Sequence, residues 1–146
     1  MTKKLVEILL VEDDASDAEL TVSALEKIDV ACHVELVGDG AAALDYLFAQ
    51  GAYAGRPRTT NPDAVLLDLK LPKIDGLEVL RQMKSDARTV NIPVIVLTAS
   101  AEDRNLTEAY RLGVNSYVVK PVDFEQFTEA VRRLGLWLSI TRPPKE

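Results

Sequence analysis

Four sets of side chains are of the types that handle divalent cations and phosphate. Glu12-Asp13-Asp14 close an apolar run that begins at Leu5, and Asp68 closes Ala64-Val65-Leu66-Leu67. Thr98 closes Val94-Ile95-Val96-Leu97, and Lys120 closes Ser116-Tyr117-Val118-Val119. Crowded carboxylates raise one another's pKa unless a cation sits among them, so such a cluster invites a divalent ion. Mg2+ is the expected one: it takes oxygen ligands, needs only one or two carboxylates and keeps positions open for water and phosphate oxygens. Lys120 is then a point charge for an anion brought to the metal, and Thr98 a hydroxyl that donates to the same anion. A single acid paired with Lys120 would read as a surface salt bridge. Convergence from four run ends is what favours a site.

These residues meet only if the four runs are neighbouring strands ending on one edge of a sheet. The run Ala64 to Asp68 is unbroken, too short for a helix and bounded by Pro62-Asp63 and Pro72, as expected of a strand buried on both faces of a parallel sheet. In open α/β sheets ligands collect outside the carboxyl ends of the strands, which is where Asp68 stands. Asp63 and Asp75 fit turn or cap roles better. Leu5 to Val11 is interrupted only by Glu7, and Cys32, Val34 and Leu36 alternate with His33, Glu35 and Val37, giving an edge strand with one wetter face.

Between the strands, apolar residues recur at helical spacing. Ser16 with Glu19 has the form of a capping box ahead of Ala18, Val22, Leu25 and Ile28. Ala41, Leu44, Leu47 and Phe48 follow Gly38-Asp39-Gly40, and Leu77, Leu80 and Met83 follow Asp75-Gly76. Ser100 and Asp103 precede Leu106, Ala109, Tyr110 and Leu112, with Gly113 as the C′ residue. Asp123 with Gln126 caps a last helix whose core stripe is Phe124, Phe127, Val131, Leu134 and Leu138. Gly51 to Pro62 is rich in Gly, Pro, Arg and Thr and longer than most helix-to-strand connections, predicting a surface loop. Five strands and five helices in strict alternation require right-handed crossovers onto a parallel sheet covered on both faces. The expected fold is an α/β, flavodoxin-like, doubly wound five-stranded sheet of order 2-1-3-4-5, its crevice between strands one and three.

The 146 residues suit a single domain over 1–146, with a core from about 5 to 134 and a tail, 135–146, extending helix five. A net charge of −6 without a basic run lacks the electrostatic footprint for nucleic acid. The one cysteine, Cys32, cannot make an internal disulfide and reads as a small inward residue; the N-terminus lacks a signal-peptide pattern, and no stretch is long enough for a bilayer. A soluble cytoplasmic protein is expected. His33, the only histidine, falls on the edge strand away from the carboxyl ends, as an exposed residue rather than a ligand.

With these runs in place, Leu9-Leu10-Val11-Glu12-Asp13-Asp14, Leu66-Leu67-Asp68-Leu69-Lys70-Leu71-Pro72 with Asp75-Gly76, Val96-Leu97-Thr98-Ala99 and Tyr117-Val118-Val119-Lys120-Pro121 resemble the CheY-like receiver domain of two-component response regulators. The resemblance covers about Leu5 to Leu134. It implies a phosphoacceptor signalling protein, not an enzyme beyond its own phosphorylation and dephosphorylation, in which Asp68 takes a phosphoryl group from a sensor histidine kinase. Carried over by position, Asp13 and Asp68 ligate Mg2+ with the backbone carbonyl of Lys70, and Glu12 acts mostly through water. Thr98 and Lys120 hold the phosphoryl oxygens, Tyr117 is the aromatic switch, and the bond before Pro121 is cis. Glu12 for the commoner Asp and Leu71 for the commoner Met depart from the pattern without altering the chemistry.

Three alternatives fit less well. A haloacid-dehalogenase phosphohydrolase needs Asp-x-Asp where this chain has Glu12-x-Asp14; a flavodoxin would cradle phosphate in a Ser/Thr/Gly loop, whereas an acidic loop repels it; a degenerate receiver would lack Asp68, Thr98 or Lys120. The chain stops soon after helix five, which reads as a stand-alone receiver. The 51–62 loop and the apolar tail Leu136-Trp137-Leu138-Ser139-Ile140 most resemble the small regulators that partner bacterial and cyanobacterial phytochrome kinases, with a downstream or phosphotransfer protein as the further partner. Trp137 and Ile140 turn away from the core stripe of helix five, so a homodimer through helices four and five and the tail is expected.

Overall fold

Short apolar runs and amphipathic segments alternate along the chain, and the structure follows that alternation. A computed structural model describes residues 5–28, 31–57 and 61–141, with side chains as far as residue 134. The strands are β1 (Val6–Val11), β2 (Cys32–Val37), β3 (Ala64–Asp68), β4 (Val94–Thr98) and β5 (Ser116–Val119). The helices are α1 (Ala15–Lys27), α2 (Gly40–Leu47), α3 (Gly76–Lys84), α4 (Arg104–Arg111) and α5 (Phe124–Thr141). The sheet is parallel throughout, in the expected order β2-β1-β3-β4-β5. No helix among the described residues is long and apolar enough to cross a membrane.

Because successive strand residues point to opposite faces, the sheet carries two cores. Leu9, Val11, Val65, Leu67, Val94 and Val96 pack under α2, α3 and α4. Ile8, Leu10, Ala64, Leu66, Ile95, Leu97 and Val118 pack under α1 and α5. Val11 lies opposite Leu67, Asp68 opposite Leu97, and Thr98 opposite Val119, so the strand ends are level to within a residue or two. The same alternation sorts the polar ends. Glu12, Asp68 and Lys120 continue the α1/α5 face, whereas Thr98 and Tyr117 continue the face of α4.

Local chemistry starts the helices. Asp39, Asp103 and Asp123 accept from the N–H groups of Ala42, Asn105 and Gln126 at 2.7, 2.8 and 3.2 Å. The Ser16–Glu19 capping box does not form. The carboxylate of Asp14 is met first as the chain turns out of β1, and it caps α1 by accepting from the Asp17 N–H at 2.9 Å, which leaves Ser16 inside the first turn. Phe124 also departs from expectation: it is 41% exposed, with the Lys27 ammonium 5.8 Å from its ring, and the core stripe of α5 among the described side chains is Phe127, Ala130, Val131 and Leu134. As the first residue of α5 it leaves the loop beyond the end of β5, past the strands that would cover it.

Asp63, expected at a turn, is buried and accepts from the Glu7 N–H at 2.7 Å, fastening the start of β3 to β1. Cys32 is partly buried against the α1/α5 core and His33 is exposed, 2.9 Å from Glu7, as expected. As far as residue 57, the segment after α2 is tied down. Gly51–Tyr53 makes a single 3-10 turn, Tyr53 donates to Glu35 on the edge strand at 3.2 Å, and Arg56 donates to the α2 carbonyls of Tyr46 and Leu47 at 2.7 and 3.2 Å.

One glycine sets how closely α3 approaches the end of β3. The Gly76 N–H donates to the Leu69 carbonyl at 3.0 Å, and a Cβ at this position would run into the Asp68 carbonyl and lie 2.7 Å from Leu69 Cα. Backbone on both sides cannot yield as a side chain would. Gly76→Ala is therefore expected to cost about 3 kcal/mol, read from the urea midpoint. Gly38, whose Cβ would meet nothing within 4 Å, is the comparison, with Gly38→Ala expected within about 0.5 kcal/mol of the parent.

Candidate functional site

The carboxyl edge of the sheet holds a cleft of about 250 Å³ lined by Asp13, Asp14, Asp17, Asp68, Lys70, Thr98, Asp103 and Lys120, among others. One cation organises it. Lys120 Nζ lies 2.9 Å from Asp68 Oδ2, 3.2 Å from Glu12 Oε1 and 3.1 Å from Asp17 Oδ2. The ammonium thus ties β5 to β1, β3 and the first turn of α1. The peptide bond Lys120–Pro121, which carries the chain away from this point, is cis.

The electrostatics follow from that crowding. Burial, then the hydrogen bond and charge of Asp68, push the Glu12 carboxyl up to about 7, against the lowering effect of the Asp14 N–H and Lys120. Burial by itself would lower Lys120, but hydrogen bonds to Asp68 and Asp17 and the charges of Asp68 and Glu12 outweigh it and hold it well above the usual lysine range. Lys120 therefore stays charged.

Glu12, Asp13 and Asp68 each offer a carboxylate oxygen, and these oxygens lie within 4.8 Å of one another. Glu12 and Asp68 are buried while Asp13 is exposed at the mouth. An all-oxygen set with two buried acids and an open side suits a hard divalent cation that keeps part of its water shell. Lys70 borders the cleft, and its N–H donates to Asp68 Oδ1 at 3.0 Å, fixing the plane of that carboxylate.

Thr98 lines the same cleft but its hydroxyl is engaged elsewhere, donating to the Ser100 carbonyl at 3.1 Å. Tyr117 points outward, 37% exposed, and sits edge-to-face on Tyr110 of α4 with ring centroids 6.1 Å apart. Glu12, Asp13, Asp68, Lys70, Thr98 and Lys120 are thus brought together, and Tyr117 stands on the neighbouring face. The side chains of Trp137 and Ile140 lie outside the described residues. Two cleft acids escaped the reading of the sequence. Asp103 was legible as a helix cap, and Asp17 carried no signal beyond being an acid in a first helical turn, because its partner is remote in the chain.

Comparison with known proteins agrees with this geometry. The family description "Response regulator receiver domain" matches residues 8–132. The probable methanogenesis regulatory protein FilR2 of Methanothrix harundinacea is 45% identical over 139 residues, covering 94% of this chain and 86% of FilR2. The structure of the bacteriophytochrome response regulator AtBRR is 52% identical, covers 90% of this chain and 94% of that one, and superposes with a TM-score of 0.80. Rcp1 of Synechocystis sp., described as a response regulator, is 36% identical over 138 residues. Its Mn(2+)-bound crystal structure covers 96% of this chain and 99% of its own, with a TM-score of 0.77.

The raised Glu12 carboxyl makes stability depend on pH. An acid whose folded pKa lies above its unfolded value favours the folded state while protonated, and that contribution is lost as pH rises from about 4.5 through about 7. With a chelator present, Glu12→Gln is expected to raise stability at pH 8 by about 2 kcal/mol and to change it little at pH 4. Urea melts at the two pH values measure the difference.

Proposed function

This chain belongs to the response regulator receiver family, and on that footing we propose that Asp68 is the phosphoacceptor of a histidine kinase. The observation that carries the reading is the placement of Asp68: it ends the central strand, Lys120 Nζ is 2.9 Å from one of its oxygens, and the Glu12 and Asp13 oxygens are within 4.8 Å. In the transfer an Asp68 oxygen forms the bond to phosphorus as the donor's N–P bond breaks, leaving an acyl phosphate that water later hydrolyses. Asp13, Asp68 and the Lys70 carbonyl would hold a divalent cation, Mg2+ in this reading, with Glu12 acting through water. When bound, that ion neutralises charge on the phosphoryl oxygens. Lys120 contributes a fixed positive charge beside the acceptor oxygen.

The switch follows from where Thr98 and Tyr117 stand. The Thr98 hydroxyl is committed to Ser100 and Tyr117 is outward. A phosphoryl group adds charge and strong acceptor oxygens, which draw the Thr98 hydroxyl toward Asp68 and leave room for the Tyr117 ring to rotate inward. The half-exposed Tyr110–Tyr117 pair lies on the surface that this motion would change, which supports signalling by a protein partner at α4 and β5. The likeness to AtBRR supports a phytochrome as the kinase. FilR2 carries a different description, so phosphotransfer from a phytochrome kinase, compared with other histidine kinases, is the deciding measurement. We further propose that the chain pairs with a second copy through α4, α5 and the tail bearing Trp137 and Ile140.

Labelling with a small phosphodonor tests the core of this. The parent is expected to be labelled in Mg2+ and not in chelator; Asp68→Asn abolishes the label and Asp13→Asn weakens the Mg2+ dependence by about tenfold or more. Undiminished labelling of Asp68→Asn would overturn the assignment. Thr98→Ala is expected to accept phosphate and yet lose most of the phosphorylation-dependent change in partner binding. For the dimer, sedimentation of the parent and of Trp137→Glu should show a two-fold mass difference at high micromolar concentration, since a change in a two-fold interface strikes it twice.

A further inference from the structure

We infer that Asp17 is a positioning residue that draws Lys120 away from a phosphoryl group on Asp68 and so limits how much of the protein stays phosphorylated; this rests on the reading of Asp68 as acceptor. An ammonium has three N–H donors and no more. In Lys120 all are directed at carboxylates, with Asp68 at 2.9 Å, Asp17 at 3.1 Å and Glu12 at 3.2 and 3.3 Å from its two oxygens. An oxygen arriving on Asp68 must therefore take its hydrogen bond from one of the three.

The three holds are not equal. The Glu12 side chain is fully buried and also accepts from the Asp14 N–H at 3.2 Å, and the Asp68 side chain is nearly as deep. Asp17 is the wettest of the set, its side chain 26% exposed. Water can take over its oxygen when the lysine leaves, so this is the contact that yields at least cost. Its backbone does not yield: the Asp17 N–H is bonded to Asp14 at 2.9 Å and its carbonyl accepts from the Thr21 hydroxyl at 2.9 Å. Asp17 is thus a fixed competitor on α1 for a lysine that arrives from β5.

Charge acts in the same direction. The contacts of 2.9 and 3.1 Å share one Nζ, so the Asp17 carboxylate stands within about 6 Å of the Asp68 oxygen. A phosphoryl group there brings roughly −1.5 to −2 charges, which the fixed carboxylate opposes. Loss of the Asp17 charge should both release Lys120 and lower the repulsion.

Asp17→Asn removes the charge, keeps the size and leaves an oxygen that can still accept. With Mg2+ present, it is expected to bind the phosphoryl analogue beryllofluoride about tenfold more tightly and to reach a higher steady-state labelled fraction with a small phosphodonor. Asp17→Glu, which restores the charge, should return both values toward the parent. Asp14→Asn removes a second charge from the cleft while keeping a good helix cap, and its gain should be about twofold or less. Unchanged or weaker binding in Asp17→Asn overturns the inference, as does an equal gain in Asp14→Asn or in Asp17→Glu. A parent that is neither labelled nor bound by beryllofluoride overturns the phosphoacceptor reading itself, and this one with it.

Discussion

One partly buried ammonium against three carboxylates is the interaction on which the carboxyl edge of this molecule depends. Lys120 joins residues 108, 103 and 52 positions away in the chain: Glu12 just past β1, Asp17 in α1 and Asp68 at the end of β3. Three acids converging without it would leave buried charge uncompensated, the costliest outcome in a protein interior. With it the site still holds more negative than positive charge, and burial together with the neighbouring Asp68 holds the Glu12 carboxyl above the usual range. A cleft poised in that way has room for one more cation. The same imbalance that makes the edge costly as a piece of structure makes it receptive as a site.

The sheet imposes a division of labour on that edge. Alternation along β1, β3 and β5 sends Glu12, Asp68 and Lys120 toward α1 and α5, which is why the lysine reaches an acid on α1 and not Thr98. The same alternation sends Thr98 and Tyr117 toward α4, where the tyrosine ring meets Tyr110. The charged groups thus stand on one face and the Tyr110–Tyr117 pair on the other, with the thickness of one strand between them. Thr98 stands between the two: it lines the cleft while its hydroxyl donates to the Ser100 carbonyl. Leu67, Leu69, Val96 and Leu97 are buried to 1% or less, so the strand ends that carry these groups rest on a close-packed layer.

The loop after Asp68 has to be tight for this arrangement to hold. Gly76 lets α3 start against the Asp68 and Leu69 backbone, and the Lys70 N–H bonds back to the Asp68 carboxylate. The longer loop after α2 does unrelated work at the opposite border of the sheet. Tyr53 and Arg56 fasten it to Glu35 and to the last carbonyls of α2, so that part of the exposed edge strand β2 is covered.

The sequence by itself determined the order of the strands and the residues at their ends, because both rest on local pattern. Unbroken apolar runs mark strands covered on two faces, alternating ones mark edges, and an acid, a hydroxyl and a lysine placed straight after such runs must arrive at one border of a parallel sheet. Glu12, Asp13, Asp68, Thr98 and Lys120 were legible for that reason. Only the tertiary structure decided which of them touch. That Lys120 divides itself among three acids, that Asp17 is one of them, and that Thr98 turns away toward Ser100 depend on strand register and on the position of α1, which no spacing in the chain encodes. The start of α1 at Asp14 and the exposure of Phe124 were decided there too, since a cap is chosen by the turn that reaches it first and a stripe is buried only where strands lie beneath it. Local sequence sets which side chains are available at an edge; the distances between remote charges come from packing alone.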